Sequence, residues 1–159
     1  MPNFKVEPID KQMVPLVNKF YKVNRGRARA KSSDKVWVMR ERGELVAALR
    51  VVQLSGHEFL TGVQVALAKQ GQGIATSLLT QVFEKLYGPD HSQQQEQVKV
   101  KPCYTFPYRH LVGFYERLGW QSIDSDDLPI PLQTRFARYV GQGRDICVMC
   151  YGHDQRSCP

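Results

Sequence analysis

The sequence predicts an α/β fold in which a mixed sheet is flanked by helices. Residues 36–54 read as two strands around a turn at Arg42-Gly43-Glu44, and Ser55-Gly56 leads into a third strand. That central strand passes through a glycine-bearing turn into an amphipathic helix that begins at Ile74. A further strand, predicted at Val98–Lys101, follows the helix and should lie parallel to the central strand. Pro102 ends it, and residues 102–108 are predicted to be a loop. Antiparallel strands joined to one parallel crossover make a mixed sheet.

A first helix is predicted from apolar residues at near-helical spacing between positions 9 and 23. Pro15 decides where it begins, because proline is tolerated in the first helical turn but costs stability further inside. A regular helix from about Val14 is therefore preferred over an earlier start capped by Asp10.

Length and composition indicate one globular domain over residues 1–159. Its 42% hydrophobic content is ordinary, and no apolar run approaches the length of a membrane span. The first residues, MPNFKVEPIDKQ, lack the apolar segment of a signal peptide, so a cytoplasmic protein without a membrane partner is expected.

Positive charge is concentrated in one window. Residues 19–50 hold ten Lys/Arg and three Asp/Glu, which accounts for the whole formal net charge of +7. The densest part, residues 24–31, has no apolar periodicity and is predicted to be a surface loop. Three interpretations stay open: a solvated loop, attraction of an acidic or phosphate-bearing ligand, and nucleic-acid binding, which is the least favoured.

The turn at residues 70–75 has the features of an anion site. The first amides of a helix have no internal partner and lie at the positive end of the helix dipole, so they suit phosphate oxygens. Gly71 and Gly73 remove the Cβ atoms that would keep a diphosphate away. Thr76 and Ser77 rule out the nucleotide-triphosphate loop, and Thr76 also spoils the dinucleotide fingerprint. A turn that binds nothing remains the alternative.

Two motifs resemble the GNAT superfamily of acetyl-CoA-dependent N-acetyltransferases. Gln70-Gly71-Gln72-Gly73-Ile74-Ala75 fits the pattern Q/R-x-x-G-x-G/A, with which that family cradles the pyrophosphate of coenzyme A. Residues 111–120, LVGFYERLGW, are similar to the family's second cofactor segment and follow at the expected distance. The resemblance implies a GNAT-like fold of one central mixed sheet and acetyl-CoA as the cofactor.

The resemblance also implies a set of site residues. Tyr115 is placed to protonate the leaving sulfur, and Tyr108, where the family often has asparagine, keeps a hydroxyl for a coenzyme contact. Leu67 and Gln70 replace a frequent proline and arginine. The implied coenzyme-binding residues are Val65, Ala66, Leu67, Gln70, Gly71, Gln72, Gly73, Ile74, Ala75, Thr76 and Tyr108.

No general base is assigned. His57 and Glu58 at the start of the central strand are candidates, as is Gln64 as a positioner of water. Many family members use ordered water instead. For Tyr115, the alternative is a core aromatic packed with Leu111 and Leu118.

The cysteines and the tail give weaker signals. Cys147, Cys150, His153 and Cys158 have a spacing that invites a zinc interpretation, but a strand over 145–151 would point the first two thiols to opposite faces. Buried thiols and no metal are therefore preferred. That strand and residues 121–123 should form a final hairpin and part of the acceptor wall, and residues 91–97 an exposed loop.

The expected activity is acetyl transfer from acetyl-CoA to a primary amine of a small-molecule or peptide acceptor. The alternative is a non-catalytic module that binds acyl-CoA, or nucleic acid through residues 25–31. The acceptor and the oligomeric state, including a homodimer, stay open.

Overall fold

The computed structural model describes residues 4–88 and 101–152. In these ranges the strands are β1 (Val6–Pro8), β2 (Lys35–Glu41), β3 (Glu44–Leu54), β4 (His57–Val65), β5 (Cys103–Thr105), β6 (Gln121–Ser122) and β7 (Met149–Tyr151). The α-helices are α1 (Val14–Val23), α2 (Ile74–Tyr87), α3 (Val112–Arg117) and α4 (Ile130–Gly141). Short 3₁₀ turns cover Lys11–Met13, Leu67–Lys69, Arg109–Leu111 and Ser125–Asp127.

The strands hydrogen-bond in the order β1-β2-β3-β4-β5-β7-β6, and β4 pairs with β5 in parallel. The β1–β2, β2–β3, β5–β7 and β6–β7 pairs are antiparallel. The predicted α/β fold with a mixed sheet is therefore confirmed.

The described chain separates into two compact units. Among the described residues, the first comprises 4–52 with 60–88, and the second comprises 53–59 with 101–152. Strand β4 contributes its first three residues to the second unit and the rest to the first. The assignment of residues 1–159 to one domain stays a prediction.

In the first unit, α1 covers a core built on β2 and β3. Helix α1 begins at Val14 with Pro15 in its first turn, as predicted. Its apolar side chains pack on alternate strand residues, which are buried because successive side chains of a strand point to opposite faces. The buried cluster is Val17, Phe20, Tyr21, Ala30, Val36, Val38 and Ala48.

Both predicted hairpin turns are two residues long. Arg42-Gly43 and Ser55-Gly56 have positive φ at both positions, the backbone of the tight turn that matches the twist of antiparallel strands. This turn chemistry fixes where β2, β3 and β4 end and begin.

In the second unit, β5 lies four to five residues later than predicted. The strand is Cys103–Thr105, inside the segment predicted as a loop, while Lys101 is not in a strand and residues 98–100 lie outside the described ranges. All three strand residues are buried, so the apolar–polar alternation that marks a half-exposed strand is missing. Pro102 was interpreted as a stop, yet proline is tolerated just before a strand.

Helix α4 was not predicted at all. Pro129 and Pro131 occupy its N-cap and first turn, where a missing amide hydrogen costs nothing. Leu132 is its one residue classed as buried, so the apolar stripe is weak. The predicted pairing of the last strands is confirmed, because β6 is antiparallel to β7, but the two do not form a hairpin. The 3₁₀ turn Ser125–Asp127 and α4 lie between them, and β7 begins at Met149 rather than at 145.

Other sequence-based expectations meet the structure only in part. The loop at 91–97, His153 and Cys158 lie outside the described residues. Within those residues, no group of three His, Cys, Asp or Glu is arranged to hold a metal ion. None of the helices in residues 4–88 and 101–152 combines the length and apolar character needed to cross a lipid bilayer.

Candidate active site

The glycine turn between β4 and α2 has the geometry predicted for it. Gly71 and Gly73 have φ of 81° and 77°, in the left-handed region that glycine adopts without a Cβ clash. A Cβ built on Gly71 meets no atom within 4 Å, so this glycine faces open space. The turn residues Gln70 to Gly73 are exposed and accessible to a ligand.

Among the described residues, no side chain caps the N-terminus of helix α2. Gly73 is its N-cap, no side chain bonds to the first amides, and no acidic residue lies in the first turn of this described helix. Fourteen residues are enough to build a full helix dipole, whose positive end is then uncompensated. The N-terminus of α2 thus offers free amides and a positive partial charge to an anion.

The neighbouring lysine adds no free charge to this turn. The Nζ of Lys69 is 2.8 Å from Oε2 of Glu41, whose oxygen is enclosed in the protein. Because Gln70 is neutral, the attraction for an anion comes from backbone amides and the helix dipole.

Two of the three amides predicted at the end of β4 already donate hydrogen bonds. The amide of Ala66 donates to the carbonyl of Val46 on β3, at 2.8 Å. The amide of Leu67 donates to Oδ1 of Asn24, also at 2.8 Å. Successive amides of an extended chain point to opposite sides, so the amide of Val65 points away from β3.

Strand β4 is distorted in its middle at Gly62. Its φ is +67°, and a Cβ there would lie 2.8 Å from the Tyr21 hydroxyl and 2.9 Å from Nε of Arg50. The Tyr21 hydroxyl donates to the Gly62 carbonyl at 2.7 Å. Burial raises the pKa of Tyr21 to about 12, so this donor stays protonated.

A largely buried ion pair supports this distortion. Nη1 of Arg50 donates to Oδ2 of Asp34 at 2.9 Å and to the carbonyl of Arg29 at 2.8 Å. The two side chains are only 11% and 9% exposed. Nε of Arg50 is buried and has no hydrogen-bond partner among the described residues.

In the second unit, Tyr115 lies on α3 and is 6% exposed. Its ring meets the edge of Trp120 at a centroid distance of 5.7 Å and that of Phe114 at 5.2 Å. Burial raises its pKa to about 12. Phe114 is only partly buried, so Tyr115 itself fills the core, as the packing interpretation expected, though its aromatic partner is Trp120.

Tyr108, also in the second unit, is 52% exposed. Its backbone forms an isolated antiparallel bridge with Ile146, and its ring stacks on His110 at 6.0 Å. The bridge fixes the backbone while leaving the side chain accessible, so the hydroxyl is available for a ligand contact.

The three candidate bases have other contacts. His57 meets the ring of Tyr104 edge-on, and Glu58 accepts a hydrogen bond from Gln53. The amide nitrogen of Gln64 donates to the carbonyls of Val65 and Asn24. None of these contacts identifies His57, Glu58 or Gln64 as the general base.

The basic segment 24–31 is irregular, as predicted, but its exposure alternates. Arg25, Arg27, Arg29 and Lys31 are exposed, whereas Gly26 and Ala28 are partly buried and Ala30 is buried. This pattern is not apparent from the sequence, because glycine and alanine are too small and too weakly apolar to indicate a buried face. Sequence reasoning also missed Tyr21, Asn24, Asp34 and Arg50, which are too far apart in the chain to form a motif.

Solved structures with a similar fold include acetyltransferases at low sequence identity. N-acetylglutamate synthase from Neisseria gonorrhoeae, complexed with coenzyme A and N-acetyl-glutamate, is 15% identical with a TM-score of 0.63, covering 97% of this chain and 36% of that one. This chain therefore spans about a third of the length of the synthase chains. The ribosomal-protein-S18-alanine N-acetyltransferase from Escherichia coli is 12% identical with a TM-score of 0.63, covering 94% of this chain and 93% of that one.

A third neighbour, the IAA acetyltransferase from Bacillus cereus, is 14% identical with a TM-score of 0.61, covering 94% of this chain and 99% of that one. No curated protein matches the sequence. The family model described as an acetyltransferase (GNAT) domain matches residues 32–122, which is more than half of the chain and includes both motifs. The glycine turn and the segment around Tyr115 thus both lie within the matched residues, and the chain belongs to the GNAT acetyltransferase family.

Proposed function

We propose that this protein is an acetyl-CoA-dependent N-acetyltransferase that acts on a primary amine of a small molecule or peptide. The observation that carries the proposal is the exposed, uncapped N-terminus of α2 after the Gln70–Gly73 turn. Free amides at the positive end of a helix are the donors that a diphosphate requires. The match of the family model over this segment supports coenzyme A as the ligand.

The residues of the turn fit the coenzyme without a cation. Gly71 and Gly73 let the backbone approach phosphate oxygens, and Thr76, exposed in the first turn of α2, adds a hydroxyl. When bound, acetyl-CoA supplies the acetyl group as a thioester, whose carbonyl is open to attack by an amine. The residues assigned to the phosphates are Gln70, Gly71, Gln72, Gly73, Ile74, Ala75 and Thr76.

At the end of β4 the assignment is narrower than the sequence implied. The amide of Val65 points away from β3 and is the donor we assign to the coenzyme arm. Ala66 and Leu67 hold the strand end in place through their bonds to Val46 and Asn24. Their role is to position the donor rather than to donate.

Tyr115 is the proposed general acid. A tyrosine phenol is protonated at neutral pH, which is what protonation of a leaving thiolate needs, and burial raises the pKa of Tyr115 further, to about 12. Within the described chain no hydrogen bond occupies the hydroxyl, so it is available to a reacting group. Tyr108, exposed in the same unit, is proposed as a further coenzyme contact through its hydroxyl.

We assign no side chain as the general base. The accessible part of β4 offers Gln64, whose amide is already bonded to backbone carbonyls and which cannot accept a proton at neutral pH. Deprotonation of the attacking amine is therefore proposed to proceed through water. The cytoplasmic location and the single domain remain predictions.

The structural neighbours are consistent with this activity. One neighbour is complexed with coenzyme A and N-acetyl-glutamate, and another acetylates the alanine of a ribosomal protein. We therefore seek the acceptor of this chain among amino acids and peptides as well as other primary amines.

The test is coenzyme A affinity, measured by calorimetry on Gly73→Glu, which adds bulk and a like charge at the helix N-terminus. Binding should be lost. Gly143→Glu is the matched control, because Gly143 is also exposed at positive φ, with no atom within 4 Å of a built Cβ. Unchanged coenzyme affinity in a folded Gly73→Glu variant would refute the site.

Activity is measured separately as free-thiol release from acetyl-CoA in the presence of pooled amines, amino acids, polyamines and peptides. Amine-dependent release supports the enzyme. Coenzyme binding without any amine-dependent release would favour the alternative of a non-catalytic acyl-CoA-binding module.

A further inference from the structure

Residues 25–31 form what we call the basic ridge, defined by the exposed side chains of Arg25, Arg27, Arg29 and Lys31. The intervening Gly26, Ala28 and Ala30 turn inward, and Ala28 and Ala30 contribute to the core cluster under α1. From Gly26 to Lys31 the strict alternation of exposed and buried residues is the pattern of an extended chain, so Arg27, Arg29 and Lys31 lie along one side, and Arg25 precedes them at the end of α1 with φ 61°.

The ridge is held to the first unit at both ends and in its middle. The amide of Ala30 donates to Oδ1 of Asn18 at 2.7 Å, and the amide group of Asn18 donates back to the Ala30 carbonyl at 3.1 Å. Arg50 binds the carbonyl of Arg29, and the amide of Gly26 donates to Tyr21 at 2.7 Å. A ligand would therefore meet a fixed row of charges rather than a loop that has to be ordered on binding.

The four cations of the ridge are not neutralised within the described chain. Salt bridges there involve Arg40, Arg50, Lys69 and Arg109, and none involves a ridge side chain. The glycine turn, by contrast, has a lysine already paired with Glu41. The ridge is thus a concentrated, unpaired positive surface.

One end of the ridge lies next to the proposed reaction site. Asn24, which directly precedes it, accepts the Leu67 amide at 2.8 Å and the Gln64 side-chain amide at 3.4 Å. A Cβ built on Gly26 would lie 3.1 Å from Oε1 of Gln64. The Arg25 end therefore touches the last residues of β4, and the Lys31 end leads away from them.

We propose that the basic ridge binds an extended acidic segment of a peptide acceptor whose primary amine lies at the Arg25 end. This inference rests on the proposed function, since it is β4 that defines where the amine must be. Alternate residues of an extended peptide are about 6.6 Å apart, the same repeat as Arg27, Arg29 and Lys31 in the extended part of the ridge. Acidic residues at every second position would each face one cation.

The length and composition of the ridge favour a peptide over other anions. Six residues of extended chain cover about 20 Å, which is longer than one acidic amino acid can span. Single-stranded nucleic acid is bound by cations together with aromatic stacking platforms, and residues 24–34 contain no aromatic side chain. An extended polyanion with carboxylates at a two-residue repeat fits better.

The test uses fluorescent peptides with a free N-terminal amine and a label at the C-terminus. One peptide carries four glutamates at alternate positions, and a second has the same composition with the glutamates in one contiguous block. Only two glutamates of the block can face the ridge at once, so we expect the alternating peptide to bind several-fold more tightly in an anisotropy titration.

The first variant replaces Arg25, Arg27, Arg29 and Lys31 by glutamine. Because an exposed ion pair changes affinity by about 1.4- to 5-fold, the alternating peptide should bind roughly 10- to 100-fold more weakly. The matched control replaces Lys5, Lys11, Lys35 and Lys85, which are exposed lysines of the same unit, by glutamine. Circular dichroism checks that both variants fold.

The outcomes are decisive in both directions. Loss of peptide binding in the ridge variant alone, with coenzyme A affinity unchanged, supports the proposal. Equal loss in both variants, or equal affinity for the two peptides, overturns it. Tighter binding of a single-stranded oligonucleotide of equal charge, with a log–log salt slope near −0.7 per contact, would overturn it in favour of nucleic acid.

The same materials separate this proposal from the proposed function. If the protein acetylates neutral and acidic peptides equally well, the enzyme stands and the role of the ridge fails. If the alternating peptide binds the ridge but no thiol is released from acetyl-CoA, the ridge stands as a binding surface and the proposed activity fails.

Discussion

The hydroxyl of Tyr21 on α1 donates to the carbonyl of Gly62 in the middle of β4, at 2.7 Å. This bond ties the first helix to the point where the central strand adopts a positive φ. The space at Gly62 is filled by the Tyr21 hydroxyl and Nε of Arg50. Helix α1, the distortion of β4 at Gly62 and the buried Arg50–Asp34 ion pair are thus in direct contact with one another.

Gly62→Ala should therefore destabilise the fold. The added methyl meets Tyr21 and Arg50 below 3 Å, and an L-residue at φ +67° is itself strained, so we expect a loss of about 2 to 4 kcal/mol in urea unfolding. Gly43→Ala is the control, because its φ is +84° but nothing lies within 4 Å of a built Cβ. In Gly43→Ala the free energy of unfolding should fall only by the backbone strain of an L-residue at positive φ. Equal losses in the two variants would show that crowding at Gly62 is unimportant.

Tyr115→Phe should reduce turnover about 10²- to 10⁴-fold, the range typical of a positioned general acid. The ring keeps its edge-on contacts with Trp120 and Phe114, so the fold should be retained. Coenzyme A affinity should stay nearly constant, because the change removes an interaction made as the thiolate leaves.

Thiol release and calorimetry on the same sample check that prediction. Unchanged turnover would assign Tyr115 to packing alone. Unfolding of the Phe variant would show that the hydroxyl contributes to stability rather than to chemistry.

The stability of the protein should fall at alkaline pH because of two buried tyrosines. Burial raises the pKa of Tyr21 and of Tyr115 to about 12, whereas an unfolded tyrosine titrates near about 10. Between these values the native state binds more protons than the unfolded state, so the free energy of unfolding falls as pH rises. Their stabilising effect is fully present below pH 10 and is lost towards pH 12.

Urea unfolding at pH 9, 10 and 11 measures this loss. Each tyrosine accounts for roughly 3 kcal/mol over the whole window, since its pKa rises by about two units and one unit corresponds to about 1.4 kcal/mol. Tyr115→Phe should show a shallower decline than the wild type. Identical declines in the two proteins would contradict the raised pKa of Tyr115.

The central elements of this fold were predictable because their signals are local. Gly73 and the apolar spacing from Ile74 define α2, and Pro15 marks the start of α1. These features depend on residues within one or two turns of each other. Glycine turns and amphipathic helices can therefore be predicted from the sequence alone.

What could not be predicted depends on contacts between distant residues. Cys103–Thr105 looked like a loop because a strand buried on both faces has no alternation. The inward positions of the basic ridge, Gly26, Ala28 and Ala30, were not recognised because small residues pack only where α1 and β4 leave room. The bond from Leu67 to Asn24, 43 residues away, has no sequence signature.

The last prediction concerns Arg25, which occupies a position normally taken by glycine. At the end of α1 the amide of Gly26 donates to the Tyr21 carbonyl and that of Arg25 donates to the Lys22 carbonyl, the paired bonds of a Schellman motif. The motif requires a left-handed residue after the helix, and Arg25 takes that role with φ 61°. Glycine there would remove a strain of about 1 kcal/mol.

Arg25→Gly should accordingly raise the free energy of unfolding by up to about 1 kcal/mol while weakening the alternating acidic peptide about 1.4- to 5-fold, because one of four ridge cations is gone. Arg25→Ala is the comparison variant, since it removes the charge but keeps the strained backbone, and it should lose peptide affinity without gaining stability. Urea unfolding measures the stability, and anisotropy measures the peptide affinity, of the wild type and of the two Arg25 variants. A stabilised glycine variant with undiminished peptide affinity would mean that the strained arginine is not retained for binding, whereas opposite shifts in stability and affinity would show that strain is tolerated there to hold a cation beside β4.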